Sequence, residues 1–314
     1  MITRLPEITS DLRWIDELLE GDQIPKERRG DLRRAFMKVK TRANDPELRI
    51  AVLGETSSGK STLLNAFLRQ RVLPSSALVT TRAAITLRQG ESPTLLIKTT
   101  QQEDISYPSA EFDSWCGRSF TAQSQNLEQA LRLLLTTDAA DLLKSVEMRS
   151  PHFFLGADIA IIDTPGFSVS DEGHRERAIA AISQADLALV VVPSVAAMSR
   201  TLVDFLTGPL ADYHDRCVFV VTKIDLIADA ERADVIGVVR ERARMAGIAD
   251  PVVLACAPAM ALRELDCAPS PYLAEFKRVE VEIAALAAER RRMAIKATAL
   301  GLLDVAIQPG LLMV

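Results

Sequence analysis

Residues 54–62 read Gly54-Glu55-Thr56-Ser57-Ser58-Gly59-Lys60-Ser61-Thr62 and follow directly on an apolar run, Leu48 to Leu53. The pattern G-x-x-x-x-G-K-[ST], leaving a strand and entering a helix, describes a phosphate cradle. Glycine lets the chain close on an anion with no Cβ in the way. Successive backbone N–H groups then point at a β-phosphate, backed by the positive end of the next helix. Gly54, Thr56, Ser57, Ser58, Gly59, Lys60, Ser61 and Thr62 are therefore expected to bind phosphate. Lys60 adds a mobile cation for the β- and γ-oxygens, and the Ser61 hydroxyl suits Mg2+.

Two further segments point to a guanine nucleotide. The run Ala157 to Ile162 ends in Asp163-Thr164-Pro165-Gly166. A carboxylate at the end of a strand beside the cradle can hold Mg2+, and the Gly166 N–H can approach a γ-phosphate. The run Cys217 to Val221 is followed by Thr222-Lys223-Ile224-Asp225. A carboxylate at Asp225 accepts from guanine N1–H and its exocyclic amine, a donor pair adenine lacks, while the Lys223 stem covers the base. Buried polar pairing of this kind discriminates far better than an apolar pocket. After the next strand, Pro251 to Leu254, the sequence Ala255-Cys256-Ala257 stands where a base-covering loop is needed, so Cys256 is included. Between cradle and Asp163, Leu78-Val79-Thr80-Thr81-Arg82 supplies the switch: Thr81 (with Thr80 as the alternative) can complete the metal shell and orient water through its carbonyl.

The elements that must position these residues alternate strand and helix, as a mostly parallel sheet requires. Ser61 to Arg69 reads as a helix with Leu64, Phe67 and Leu68 on one side. Ala83 to Arg88 and Leu95 to Thr99 read as added strands. Asn126 to Leu135 and Ala139 to Ser145 read as helices, and Arg175 to Ser183 as a helix feeding the strand Leu187 to Val192. Residues 10–40 carry two helical patterns, the first capped by Ser10 and the second opened by Pro25. Near the C-terminus, Phe276, Val279, Ile283, Leu286, Arg290, Met293, Ala297 and Leu300 form a heptad seam broken at Arg290, which calls for a helical partner. The N-terminal helices can supply it. The run Arg290-Arg291-Arg292 reads as a solvated face.

Composition narrows the function. The 314 residues carry 37 basic and 42 acidic side chains, a net charge of −5, and 48% are hydrophobic. A large core is affordable, and no nucleic-acid partner is expected, since phosphate-driven binding needs a basic surface. The four cysteines and three histidines show no metal spacing and read as reduced thiols and scattered imidazoles. Charged residues interrupt every apolar run, so neither a secretory leader nor a membrane-spanning helix is expected.

Together these motifs resemble the dynamin superfamily of large GTPases, especially its bacterial dynamin-like members. The resemblance rests on Thr56 to Ala66, on Leu73-Pro74 with Val79-Thr80-Thr81-Arg82, on Val146 to Pro151 leading into Asp163-Thr164-Pro165-Gly166, and on the long separation of Lys60 and Asp163. It covers residues 46–265. Thr56 departs from the Gln of eukaryotic dynamins, and the long stalk and membrane tip usual in the family are not expected before Val314. The resemblance implies an α/β fold: a P-loop GTPase domain, with a mostly parallel, extended central sheet flanked by helices, over 46–265. A small neck bundle comes from 1–45 and 266–314. It implies GTP and GDP as ligands, Mg2+, and a GTPase activity in membrane remodelling. A GTPase-face dimer of the chain with itself is implied, and a lipid surface or a second dynamin-like protein as partner. The expected location is the cytoplasm, peripheral at the inner membrane. Phe167 stands where Ras-like enzymes place a water-orienting Gln, so Ser57 and the Thr81 carbonyl are expected to act catalytically with Lys60 and Gly166. A monovalent cation, K+ or Na+, or a second protomer would supply the missing charge. The alternative class is an Era-like, ribosome-associated GTPase, which should carry a basic RNA-binding appendage.

Overall fold

A computed structural model describes residues 12–13, 16–17, 26–73, 85–101, 104–109, 112, 127–136, 142–153, 155–166, 172–265, 267 and 269–307. Nine strands form one sheet in the order β4-β3-β5-β2-β6-β1-β7-β8-β9. They are β1 (Leu48–Leu53), β2 (Ile85–Gln89), β3 (Thr94–Thr99), β4 (Asp104–Tyr107), β5 (Leu143–Ser150), β6 (Ile159–Asp163), β7 (Leu187–Pro193), β8 (Cys217–Thr222) and β9 (Val252–Ala255). The block β6-β1-β7-β8-β9 is wholly parallel. On its flank, β2 runs antiparallel to β6 and parallel to β5, and β3 pairs antiparallel with both β4 and β5.

Sequence explains the two halves. Every residue of β8 is buried, and so are six of seven in β7, because helices cover both faces of a parallel sheet. The added strands β3 and β5 instead alternate buried and open positions. Alternation in β1 sends Ile50 and Val52 into one core and Ala51 and Leu53 into the other. The first core is covered by α2 (Lys60–Phe67), α7 (Pro258–Arg263) and the first half of α8 (Pro271–Ile307). The second is covered by α4 (Glu172–Gln184), α5 (Arg200–Thr207) and α6 (Arg232–Met245). Helix α3 (Leu127–Thr136) buries Leu127, Leu131 and Leu134 beside the added strands. A third, smaller core joins α1 (Lys26–Asn44) to the far half of α8, through Leu32, Phe36 and Val39 against Ile295 and Ala299.

Three expectations change. Of the helix read over Ala139 to Ser145, residues 139–141 lie outside the described residues, and the described end is not α-helical: Leu143–Ser150 is β5, between β2 and β3. Ladders on both sides and the alternating burial of Leu143, Val146 and Met148 override local helix preference. The seam on α8 holds at Phe276, Val279 and Ile283, then shifts to Ala287, Arg291, Ile295 and Ala299, leaving Met293 and Leu300 about half exposed. The shift occurs where α8 leaves the sheet and takes α1 as its neighbour. Arg291 is consequently not solvated: it is buried, and its guanidinium donates to the carbonyls of Glu47 (3.0 Å), Arg42 and Asp45 in the α1–β1 connection.

One contact ties the start of α8 to the end of α2. The Phe67 and Phe276 rings lie 5.3 Å apart, and Arg69 pairs with the buried Glu280 while lying over the Phe276 ring. Burial pushes the Glu280 carboxyl up, and the Arg69 charge and hydrogen bond draw it back down. Among the described residues, no helix is long and apolar enough to cross a membrane.

Candidate nucleotide-binding site

The carboxyl ends of β1, β6, β7 and β8 share one edge of the sheet. The chain leaves β1 with β6 on one side and β7 on the other, the kind of switch point where open α/β sheets take ligands. The loop after β1 needs its glycines. Gly54 has φ +154°, and a Cβ there would sit 2.7 Å from both Ser58 Oγ and the Val191 carbonyl. Gly59 has φ +100°, and a Cβ would meet Thr222 Oγ1 at 3.1 Å. Gly59 caps α2 with no side-chain hydrogen bond, so the N–H groups of the first turn remain open to an anion.

Lys60 is buried and arches back over this loop. Its Nζ donates to the Gly54 carbonyl (2.7 Å) and the Glu55 carbonyl (2.9 Å), leaving one of three N–H groups uncommitted among the described residues. Burial pushes the Lys60 amine down to about 8, against the opposing pull of Asp163 and Glu55. Asp163 closes β6, opposite Val52 of β1, and burial lifts its carboxyl to about 7 while Lys60 pulls it down. Two buried groups of opposite sign, each held toward its neutral form, fit a site whose charges are completed by a ligand. Gly166 closes the cradle: a Cβ there would lie 2.9 Å from Lys60 Nζ and 3.2 Å from Thr56 N. Inside the loop the Ser58 hydroxyl is buried and meets no hydrogen-bond partner among the described residues. These features fit a triphosphate with Mg2+. Ser61 and Thr62 are half-buried in the first turn of α2, beyond Lys60.

The base motif is fastened to the phosphate loop. Thr222 Oγ1 donates to the Ser58 carbonyl (2.7 Å), and Lys223 Nζ donates to the Ser57 carbonyl (2.9 Å). Lys223 adopts a left-handed conformation (φ 59°, ψ 29°) that turns the chain into the short helical turn Ile224–Leu226, where Asp225 is half-buried. Ser57 (φ 64°) is likewise left-handed. Cys256 is fully buried among first-core residues, and its backbone N–H donates to the Val221 carbonyl (2.9 Å). Burial pushes its thiol well up. The Cys256 side chain therefore belongs to the core, and any contact with a base falls to the main chain of that loop. Thr80, Thr81 and Phe167 lie outside the described residues, as does the His174 side chain.

Three positioning residues escaped the sequence reading. Ser194 Oγ donates to the Lys223 carbonyl (2.8 Å) and holds the base turn from the end of β7. Thr164 Oγ1 donates to the Val52 carbonyl (2.8 Å), locking β6 to β1 beside Asp163. Asn65, buried inside α2, accepts from the N–H groups of Val72 (2.9 Å) and Leu73 (2.8 Å) and donates to the Leu73 carbonyl (2.8 Å). It fixes the chain just before the segment that carries Thr80 and Thr81. An amide inside an otherwise apolar helix was the available signal for Asn65; the two hydroxyls gave none.

A glycine loop after β1, a carboxylate ending β6 and a Thr-Lys-x-Asp turn after β8, all on the carboxyl edge of a parallel sheet, define a P-loop nucleotide-binding domain with a guanine-type base motif. Residues 50–224 match the model of the Dynamin family, more than half of the chain. The chain belongs to the dynamin family, whose members are GTPases. It is 28% identical over 188 residues to dynamin-like protein A of Bacillus subtilis, covering 60% of this chain and 14% of that protein. It is 32% identical over 208 residues to the rat interferon-induced GTP-binding protein Mx1, covering 61% of this chain and 30% of that one. The chain thus spans less than a third of either relative. Among solved structures, an oligomerised bacterial dynamin pair, described as providing a mechanism for long-range sensing and tethering of membranes, superposes with a TM-score of 0.58. The match has 20% identity and covers 94% of this chain and 54% of that one. That likeness establishes a shared fold.

Proposed function

We propose that this chain binds GTP with Mg2+ at the carboxyl edge of the sheet and hydrolyses it to GDP and phosphate. Backbone N–H groups of residues 54–62, with Lys60, hold the β- and γ-phosphates, and Gly166 closes on the γ-phosphate. Ser61, Asp163 and Thr81 would hold the Mg2+, which neutralises charge on the β- and γ-oxygens. Thr222 and Lys223 align the base turn, and Asp225 accepts from the guanine edge. Ser57 and the Thr81 carbonyl orient the attacking water, and the positive charge that these residues lack would be supplied by a monovalent cation or by a second copy of the chain. Residues 46–265 form the GTPase unit, and α1 with the far half of α8 forms the neck. GTPase faces pair when nucleotide is bound, and the neck transmits that pairing to a membrane surface.

The reading is supported above all by the Thr222 and Lys223 hydrogen bonds to the Ser58 and Ser57 carbonyls, which fasten a guanine-reading turn to a phosphate loop. The test is binding of a fluorescent GTP analogue with Mg2+, in competition with GTP and ATP. Turnover per chain is followed as protein concentration rises, with and without anionic vesicles. GTP should compete better than ATP by about a hundredfold or more, and turnover per chain should rise with concentration. Absence of binding overturns the site; constant turnover per chain removes the pairing alone.

A further inference from the structure

The opposite edge of the sheet, where β1, β7 and β8 begin, holds a cleft of about 350 Å3 between the α1/α8 pair and the body of the domain. Its wall carries five cations, Lys38, Arg42, Arg49, Arg216 and Arg291, and one carboxylate, Asp186. The carboxylates of this region are already engaged. Asp186 takes the Arg42 guanidinium and the Arg49 backbone N–H (2.8 Å). Asp45 takes Arg42 (3.1 Å) and Arg49 (3.0 Å). Glu47 takes Arg49 (3.2 Å) and Arg88.

Among the described residues, three of the five cations have no carboxylate in contact. Arg216 donates only to the carbonyls of Ile182 (2.9 Å), Ser183 (3.1 Å) and Ala185 (2.9 Å) and lies over the Tyr213 ring. Among the described residues, Arg291 donates to carbonyls alone, and its buried Nε meets no hydrogen-bond partner. Lys38 is exposed and forms no ion pair among the described residues. Carbonyl oxygens fix the planes of the two guanidinium groups without neutralising them; Asp186 and Asp45 attract Arg291 from nearby and offset part of its charge. Held in this way inside a concave, partly desolvated site, guanidinium groups favour phosphate geometry. The volume lies in the range of small-molecule sites.

We infer that this cleft is a second anion site that takes a multiply charged, phosphate-bearing ligand, either a soluble phosphorylated metabolite or the headgroup of an anionic phospholipid. The ligand would be gripped from α1 by Lys38 and from the start of β8 by Arg216, while Arg291, whose terminal nitrogens are taken by carbonyls, holds α8 in place as the third wall. The cleft lies a full strand length, about 20 Å, from the P-loop, so both sites can be filled at once.

The test uses the full chain saturated with GDP, which keeps the probe out of the phosphate cradle. Calorimetric titration with fructose 1,6-bisphosphate, and sedimentation with phosphatidylcholine vesicles lacking or containing phosphatidylglycerol, separate the two sources. Saturable binding in either arm, about tenfold weaker in Lys38→Glu, unchanged in Lys38→Arg and weakened by added salt, is the expected result. Thr298→Glu adds one negative charge from the α8 side of the cleft, half the change made by Lys38→Glu, and should weaken binding in the same direction by less. GDP affinity, equal in all variants, verifies their folding and is read separately from the bisphosphate. Binding in neither arm, or binding that Lys38→Glu and Thr298→Glu leave unaltered, overturns the assignment.

Discussion

At the carboxyl edge of the sheet, Lys60 holds two carbonyls of its own loop and keeps a third N–H uncommitted, beside a carboxylate lifted toward neutrality. At the amino edge, Arg291 commits both terminal nitrogens to the carbonyls of Glu47, Arg42 and Asp45 and so joins α8 to the α1–β1 connection. Both are buried cations solvated by main-chain oxygen. They differ in what surrounds them: an open helix N-terminus and a glycine loop for Lys60, and a packed joint between helices for Arg291. The first arrangement leaves charge available to a ligand. The second uses it to fix two elements against each other. Buried charge therefore has to be read by its partners rather than by its depth.

Substitutions can break this contrast. The largest effect should come from Lys60→Ala. Losing charge-assisted hydrogen bonds to a triphosphate, about 1.5–3 kcal/mol each, should weaken GTP by about a hundredfold to a thousandfold. The thermal midpoint of the nucleotide-free protein should scarcely move, since a buried cation also departs. Competition binding and a melting curve on the same sample check both halves. Arg291→Met should do the reverse. Three carbonyls lose their donor, so unfolding by urea should show a loss of about 2–4 kcal/mol, with GTP affinity within about twofold of the parent chain. A fall in affinity beyond that would mean that the two edges are coupled.

The smallest effect is a pH slope. The folded protein holds the Asp163 proton up to about 7, whereas the unfolded chain releases it near the ordinary 3.8. The folded state therefore binds more protons between those values, and nucleotide-free stability should decline as pH rises across that window. Asp163→Asn should flatten that part of the curve of melting temperature against pH. An identical slope in both proteins would show that Asp163 titrates normally.

The same contrast explains what the sequence revealed. The geometry of the carboxyl edge was legible because a tight loop that leads straight from a buried strand into a helix demands glycines at fixed spacing. Gly54, Gly59, Lys60, Asp163 and Thr222 advertise themselves locally. The amino edge was not. Arg42, Arg49, Asp186, Arg216 and Arg291 come from distant parts of the chain, share no spacing, and meet only when β1, β7 and β8 are side by side. Arg291 looked solvated because a run of three arginines usually is, and only the change of neighbour along α8 buries the middle one. The helix misread at Leu143 to Ser145 has a similar cause. Strand β5 is stabilised by pairing with β2 and β3, and nothing in its own residues announces those ladders. Ser194, Thr164 and Asn65 act through single hydrogen bonds to main-chain groups, which leave no pattern to read.

The clasp between Phe67, Arg69, Phe276 and Glu280 has a mechanical consequence. Helix α8 has 37 residues and so runs for about 55 Å, of which about 46 Å lie beyond Phe276. Any reorientation of α2 about its phosphate-facing end is handed to the near end of that rod. The Arg291 joint holds the middle of that rod to the α1–β1 connection, so a tilt would have to carry α1 along with it. Under the proposed function, a rod of this length would carry the state of the cradle to a distance no single side chain could span.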